Sequence, residues 1–476
     1  MDFLERLDAR AKEIDTLLCV GLDPHPELLE EETPQGVLLF CKHIIESTLR
    51  FALAFKPNIA FFEAYGPEGL AVLQEVIEFI PDRIPVILDA KRGDIFSTAK
   101  AYAHAAFDVW GADAVTINPF MGKDAADPFL ANPEHGIFIL CKTSNPTAND
   151  LQLQPTISGL PLYQKIAVEA PGWSEHKQIG LVVGATDPDA LQKVRGLTDT
   201  WLLAPGVGAQ GGKIEPAIRA GLRADGLGML VTISRGIARA PDPGLAAQDI
   251  VEQINHIRGK LARRQSTKPL VGKSTLEPSL AVLADALIQH GCVRFGSFTL
   301  KSGLVSPIYI DLRRVVSNPG LLAQTAASYL PLLRGLTFDR LAALPYAALP
   351  IGTAVSLQAG CPLIYPRREV KEYGTRASVE GGFNEGERVL MLDDLATTGG
   401  SKIEAAGTLK AAGLEVEDIV VLIDRQSGAK EMLEEAGFRM HTVFTLTQLL
   451  EHWELSGAVS AETAEEVRTF LADTQV

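Results

Sequence analysis

Cysteine is scarce in this chain: five residues among 476, Cys19, Cys41, Cys141, Cys292 and Cys361, with no Cys-x-x-Cys spacing. That usage argues against a disulfide framework and reads as reduced thiols in a cytosolic core. No cluster of His or Cys offers a metal centre. Long apolar runs are also missing, since none approaches the roughly 18 residues of a membrane span. The amino-terminal stretch, Met-Asp-Phe-Leu-Glu-Arg-Leu-Asp-Ala-Arg, is a charged amphipathic helix start without a signal core, and the tail ending Asp-Thr-Gln-Val476 carries no peroxisomal address. The expectation is a cytoplasmic protein with no membrane partner. Basic charge is in short supply, 44 Lys and Arg against 59 Asp and Glu, for a formal net charge of −15. This disfavours nucleic acid as a partner. It leaves anionic small molecules open, because a few local cations can hold a phosphate against a negative background.

What is present is an ordinary globular composition, 46% hydrophobic and 22% charged. The length exceeds what one hydrophobic core usually supports, so two domains of roughly 200 to 270 residues are expected.

Strand-like apolar runs recur in the first half at 17–22, 51–55, 85–88, 114–117, 137–140, 180–183, 201–203 and 229–233. Segments of helical period lie between them at 37–49, 70–80, 98–110 and 160–170, and a further one at 245–261 follows the last run. Eight β-then-α units in about 260 residues predict a (β/α)8 TIM barrel and exclude a sandwich or a bundle.

Polar residues gather just after those runs, where an α/β protein builds its sites. Asp23 follows the first, Lys56 the second, Asn118 the fourth, and Ser144 with Asn145 the fifth. The third run ends in Asp89-Ala-Lys-Arg-Gly-Asp-Ile95, an anion, a cation and an anion within six residues. In extended backbone, residues two apart face the same side, so Asp89 and Lys91 project together. Taken alone, Asp-x-Lys also reads as a surface salt bridge capping the next helix. After the seventh run comes Pro205-Gly-Val-Gly-Ala-Gln-Gly-Gly212, and after the eighth Ser234-Arg235-Gly236. Glycines let backbone amides approach phosphate oxygens, and Arg235 adds a two-pronged grip. His25 reads as a loop residue, and Trp110 and Trp201 as core.

These motifs, with Leu22-Asp23-Pro24, Phe55-Lys56-Pro57-Asn58, Thr143-Ser-Asn-Pro146 and Ser234-Arg-Gly-Ile237, resemble the orotidine 5′-monophosphate decarboxylase family over residues 1–262. The resemblance implies that Lys56, Asp89, Lys91 and Asp94 form an alternating catalytic array, with Asp94 contributed to a partner subunit's site in a homodimer or higher homo-oligomer. It also implies that Asp23 and Thr98 hold ribose hydroxyls, Ser144 the pyrimidine, and Gln210 with Arg235 the phosphate. No cofactor is expected in this half. A hexulose-phosphate synthase-like barrel shares Asp-x-Lys-x-x-Asp but has an acid in place of Lys56 and needs a metal.

Residues 263–275 have the polar, basic composition of a linker, and a second domain is expected over 276–476. Strand-like runs at 341–343, 363–365, 389–392 and 419–423 alternate with helical segments at 320–333, 352–359, 402–412 and 429–436, predicting a smaller open parallel sheet. Two β-rich stretches flanking a Gly turn, 295–303 and 306–312, precede them. The chemistry concentrates in Arg388-Val-Leu-Met-Leu-Asp-Asp-Leu-Ala-Thr-Thr-Gly-Gly-Ser-Lys402. An apolar strand ends in two acids suited to vicinal ribose hydroxyls, and a Thr/Gly loop opens a helix whose free amides bind anions. A capping turn is the alternative for the loop.

This stretch resembles the phosphoribosyl pyrophosphate motif of type I phosphoribosyltransferases. With 295–303, 306–313, 345–352, 365–374 and Asp424-Arg425, it resembles orotate phosphoribosyltransferases in particular. The resemblance implies that Asp393, Asp394, Thr397, Thr398, Gly399, Gly400 and Ser401 hold the ribose 5-phosphate. Lys301, Arg367, Arg368 and Lys371 would meet the pyrophosphate, and Phe298 and Arg425 the orotate. Residues 367–383 would form a mobile lid reaching across a dimer. Tyr373 stands where many bacterial relatives have His and Arg368 where they have Lys, so a proton-donating role at 373 is not carried over. Mg2+ is expected in this half, held largely by the substrate. The two halves together resemble uridine monophosphate synthases with the decarboxylase first, acting on orotate, phosphoribosyl pyrophosphate and orotidine monophosphate. A regulatory nucleic-acid-binding domain of the same fold is the rival outside enzymes; the charge and the lack of a helix-turn-helix pattern argue against it.

Overall fold

A computed structural model of the chain describes residues 1–157, 159–206, 212–265, 276–299, 303–367 and 378–474. The chain divides into two compact units, one of residues 1–154 and 161–269, the other of 155–160 and 270–476. The last helix of the first unit, Pro243–Gln265, runs past 263, where the linker was expected to begin, because Lys, Leu, Ala and Arg favour helix there. Residues 266–275 lie outside the described residues.

The first unit is built on eight parallel strands: β1 Leu18–Leu22, β2 Ala54–Pro57, β3 Ile87–Arg92, β4 Ala114–Ile117, β5 Gly136–Lys142, β6 Ile179–Val183, β7 Leu202–Ala204 and β8 Met229–Ile233. Their order is β2-β1-β8-β7-β6-β5-β4-β3. Two parallel bridges, Phe55 to Val86 and Asn58 to Asp89, join the free edges of β2 and β3 and close the barrel. Most strand residues are buried on both faces, as branched residues in a helix-covered parallel sheet should be.

The amino-terminal helix Phe3–Ile14 buries Phe3, Leu4, Leu7 and Ala11 on one stripe. It packs at the amino ends of β5 and β6, where the Phe3 amide donates to the Pro133 carbonyl and the Leu4 amide to that of Lys177, both at 3.0 Å. A side chain at Gly136 would come within 2.1 Å of the Phe3 ring, so the strand is glycine there. With that end covered, the carboxyl ends remain for chemistry.

Strand bounds differ from the expectation at two places that matter. β2 extends through Lys56 to Pro57, and β3 through Asp89 and Lys91 to Arg92. Charged residues that were expected just beyond the strands lie within them, because Lys56 and Asp89 neutralise each other inside the mouth. The helical run expected at 98–110 is an α-helix at Phe96–His104 followed by a π-helical segment at Ala105–Val109. Trp201, expected in the seventh strand, stands just before β7, fully buried, with its indole N–H donating to Asp8 Oδ1 at 3.1 Å.

In the second unit, helix Pro278–Gln289 is followed by an antiparallel hairpin, β9 Val293–Thr299 and β10 Val305–Ile310. A six-stranded sheet follows from β11 Arg340–Ala343, β12 Leu363–Pro366, β13 Val379–Glu380, β14 Arg388–Ala396, β15 Glu415–Asp424 and β16 Arg439–Thr445, in the order β13-β12-β11-β14-β15-β16. The sheet is mixed rather than wholly parallel, since β13 runs antiparallel to β12. Part of the stretch expected to be a lid is therefore an edge strand, held by Val379, which is buried. β16 was not expected: Arg-Met-His-Thr-Val-Phe-Thr pairs with β15 but is half-exposed, so it lacks the continuous apolar run of a central strand. The core beneath the sheet is anchored by Tyr329, Phe444 and Trp453, all fully buried.

Candidate active sites

At the carboxyl end of the barrel, a cleft of about 290 Å³ is lined by Asp23, Lys56, Asp89, Lys91, Ser144 and Arg235, residues drawn from five different strand ends. Lys56 Nζ donates to Asp89 Oδ2 at 2.8 Å and Lys91 Nζ to Asp89 Oδ1 at 2.7 Å, so one carboxylate bridges two ammonium groups. The three differ in exposure. The side chain of Lys56 is 5% exposed and that of Asp89 13%, but that of Lys91 is 51%, leaving it open to a ligand.

Burial alone would push the Asp89 carboxyl up, yet the Lys56 and Lys91 charges outweigh it and hold that group well below the usual carboxylate range. Burial likewise disfavours the charged form of Lys56, but Asp89 and Asp23 reverse the balance and raise its affinity for the proton. Lys56 and Asp89 are thus both charged at neutral pH.

Thr116, on β4, was not singled out in the sequence and organises this array. Its hydroxyl accepts from the amides of Ala90 at 3.0 Å and Lys91 at 2.8 Å and donates to Asp89 Oδ1 at 3.0 Å. These bonds hold Lys91 at φ +48°, a left-handed conformation that a non-glycine residue adopts at a cost. A single Thr in a run of strand residues carries no signal of such a role.

Among the polar atoms of the cleft, Asp23 Oδ1 and Ser234 Oγ are sealed from solvent without a hydrogen-bond partner among the described residues. Buried polar groups are normally paired, so these two point to a ligand. Gly21 brings β1 against Ser234: a Cβ there would come within 2.7 Å of the Ser234 Cβ.

Two expected residues do not line this cleft. Asp94 follows β3, where its Oδ1 accepts from the Ile95 amide at 2.7 Å, and Thr98 lies on helix Phe96–His104. Gln210 lies outside the described residues.

In the second unit, β14 delivers Asp393 and Asp394 at its carboxyl end, and the loop through Thr397 and Thr398 turns at Gly399, φ +79°, into helix Gly400–Ala411, of which Ser401 is the second residue. A side chain at Gly399 would be strained by that φ and would approach the Ala429 carbonyl at 3.2 Å. Arg425 follows β15, and its amide donates to the Ala396 carbonyl at 3.0 Å. Its Nε is sealed without a partner among the described residues. Phe298 lies on β9, tilted against Tyr309 with ring centroids 5.4 Å apart. Arg367 pairs with Glu380 on β13. Lys301, Arg368, Lys371 and Tyr373 lie outside the described residues.

The two acids of β14 are not equivalent. Asp393 is paired with Lys402 Nζ at 2.7 Å, a buried lysine that sequence reading passed over as the end of the motif. The Asp394 carboxyl is pushed up to about 7, first by burial and then by the neighbouring Asp393 charge.

Comparison with known proteins follows the same division. Residues 16–250 match the model of the orotidine 5'-phosphate decarboxylase / HUMPS family. A curated relative from Nostoc sp., the bifunctional enzyme PyrF/PyrE, is 36% identical over 97% of this chain and 98% of its own. The orotidine 5'-phosphate decarboxylase of Roseiflexus sp. is 48% identical over 50% of this chain and 90% of its own. Among solved structures, Leishmania donovani UMP synthase is 48% identical, covering 99% of this chain and 100% of that one, with a TM-score of 0.52.

Proposed function

The chain belongs to the bifunctional PyrF/PyrE family, and on that premise we propose how its two units share the work. It is an enzyme of pyrimidine biosynthesis with two activities. One joins orotate to phosphoribosyl pyrophosphate, giving orotidine 5′-monophosphate and pyrophosphate. The other removes carbon dioxide from that product, giving uridine 5′-monophosphate. We assign the decarboxylase to the barrel and the transferase to the second unit, so the decarboxylase comes first in the chain.

The observation that carries the decarboxylase reading is the Lys56–Asp89–Lys91 chain. A hexulose-phosphate synthase-like barrel would carry an acid where Lys56 stands. Loss of carbon dioxide leaves an electron pair on a ring carbon with no adjacent carbonyl to accept it. The remedy is a fixed field rather than an electron sink, and no cofactor is required. Lys91, held by Asp89 and half-exposed, faces the developing carbanion and then donates a proton to it. Asp89 lies beside the substrate carboxylate. Asp23 receives ribose hydroxyls, Ser144 meets the pyrimidine, and Arg235 with the Gly-rich loop, including Gln210, grips the phosphate.

Asp94 and Thr98 are four residues apart on one side of the mouth, outside their own cleft. Beside them Ile95 is 60% exposed and Phe96 58%, and Phe120, after the neighbouring strand β4, is 80% exposed. Apolar side chains grouped in this way suit a homodimer in which Asp94 and Thr98 complete the partner's site.

In the transferase, pyrophosphate leaves an oxocarbenium-like ribose. The loop 397–401 holds the 5-phosphate, Asp394 the ribose, Arg425 and Phe298 the orotate, and Lys301, Arg367, Arg368 and Lys371 the pyrophosphate. Pyrophosphate offers the hard oxygens magnesium prefers. The groups of the site therefore fit Mg2+ carried in on the substrate, where it would neutralise leaving-group charge. All five cysteines are unpaired, which suits the cytoplasm. No helix among the described residues is long and apolar enough to cross a membrane.

The test is to incubate the purified chain with orotate, phosphoribosyl pyrophosphate and Mg2+, following orotate absorbance and carbon dioxide release together. Loss of absorbance without carbon dioxide would sink the assignment to the barrel.

A further inference from the structure

Lys402 is nine residues after Asp393 and returns to it. Its side chain is 3% exposed, and Nζ donates both to Asp393 Oδ2 and to the Leu395 carbonyl, each at 2.7 Å. The lysine therefore staples the first turn of helix Gly400–Ala411 to the end of β14, with the loop 397–401 closed between them. Asp393 is engaged at every oxygen: Oδ1 accepts from the Asp394 amide at 2.9 Å and the backbone carbonyl from the Tyr329 hydroxyl at 2.8 Å. Asp394 has no cation paired with it among the described residues.

We infer that Lys402 is a positioning residue of the transferase, neutralising and pinning Asp393 so that Asp394 alone receives the ribose hydroxyls while the phosphate loop keeps its shape. The inference rests on the transferase reading above and gives the two adjacent acids different tasks. Two unpaired carboxylates at one buried strand end cannot both stay ionised, because each raises the proton affinity of the other. A lysine on the first removes much of that repulsion and lets the second act as an acceptor near neutral pH.

The titratable and charged groups facing the pair come from three elements. Lys402 comes from its helix, Tyr329 from helix Pro319–Leu333, and Asp424, which faces Lys402, from β15. The Tyr329 hydroxyl is driven well up by burial and then by both carboxylates, so it stays neutral and donates. Lys402 is thus the cation that sets the charge of this strand end among the described residues.

The experiment uses the full chain and follows kcat/KM for phosphoribosyl pyrophosphate from about pH 5.5 to 9, with decarboxylation of added orotidine monophosphate as the control for folding. In K402M the acid limb should move up by roughly 1 to 3 units, with KM rising more than kcat falls. K402R should restore most of the wild-type profile. The double variant K402M with Asp393→Asn removes both charges, and its limb should return to the wild-type position or below it, whether or not the single variant folds well. An unmoved limb in K402M, with only a lower thermal midpoint, would make the lysine merely structural. Failure of the double variant to return would also overturn the inference. An inactive wild-type transferase would remove the reading itself, whereas an active wild type with an unmoved limb would remove only the role of Lys402.

Discussion

The hydroxyl of Thr116 donates to Asp89 Oδ1 at 3.0 Å while accepting the amides of the two residues that follow Asp89. One side chain on β4 thus sets both the carboxylate and the backbone from which Lys91 springs. T116V keeps the shape but strands two amide donors and loosens Asp89, at a cost on the order of 1–3 kcal/mol for each buried group left unpaired. Decarboxylase kcat should fall roughly 10- to 100-fold with little change in KM, and Thr116→Ser should recover most of it. Steady-state kinetics with an unchanged kcat would refute the role.

Lys91 and Lys56 should separate activity from stability. Lys91 is half-exposed, so Lys91→Ala should abolish decarboxylation while the thermal midpoint and the transferase step stay near wild type. Lys56 is buried against Asp89, and Lys56→Ala leaves Asp89 only the half-exposed Lys91 as counter-charge, so it should cost about 1–3 kcal/mol as well as activity. Denaturant midpoints of the two variants, compared with wild type, decide between these roles.

Arg235 is expected to act through the phosphate alone. R235A should raise KM for orotidine monophosphate roughly 10- to 100-fold, as losing a charge-assisted contact does. Turnover of orotidine, which lacks the phosphate, should be slow but equal in both proteins. A further loss on orotidine would mean that Arg235 serves the chemistry rather than the grip.

Asp89 and Asp394 should impose opposite pH dependences on stability. Asp89 is held below its unfolded value, so its contribution is full above about pH 4 and is lost as pH falls below that. The Asp394 carboxyl, raised to about 7, binds a proton in the folded state that the unfolded chain has shed, so it lowers stability as pH rises from about 4 to 7. Between those limits Asp394→Asn should flatten the decline in thermal midpoint, and Asp89→Asn should remove the loss seen on acidification. A slope unchanged by either substitution would contradict the assignment for that residue.

Chelation should distinguish the two steps. Excess chelator should stop pyrophosphate release from orotate and phosphoribosyl pyrophosphate, yet leave decarboxylation of added orotidine monophosphate within about twofold. Loss of both would place a metal in the barrel.

Much of this was legible along the chain. Apolar runs and helical periods located all eight barrel strands to within a few residues, because burial on both faces of a parallel sheet demands continuous apolar residues. The cleft residues Asp23, Lys56, Asp89, Lys91, Ser144 and Arg235 were each marked by standing at the end of such a run. Legibility failed where burial is one-sided or pairing is distant. β16, Arg-Met-His-Thr-Val-Phe-Thr, mixes polar with apolar residues in no regular period and so escaped notice. Arg195, largely buried, donates to the carbonyls of Thr198, Thr200, Gly221 and Gly228, which no local pattern foretells.

By itself the amino-acid sequence determined the alternation of strand and helix, the division into two units, and the chemical types standing at each strand's carboxyl end. These follow from periodicity and residue identity, which are local properties. Tertiary structure alone decided that β3 closes on β2 through Asn58 and Asp89, that Thr116 lies under the Asp89 carboxylate, and that Lys402 occupies one of two adjacent acids. A hydrogen bond or ion pair needs placement to within about 3 Å, and only packing of the whole unit brings residues separated in sequence to that distance.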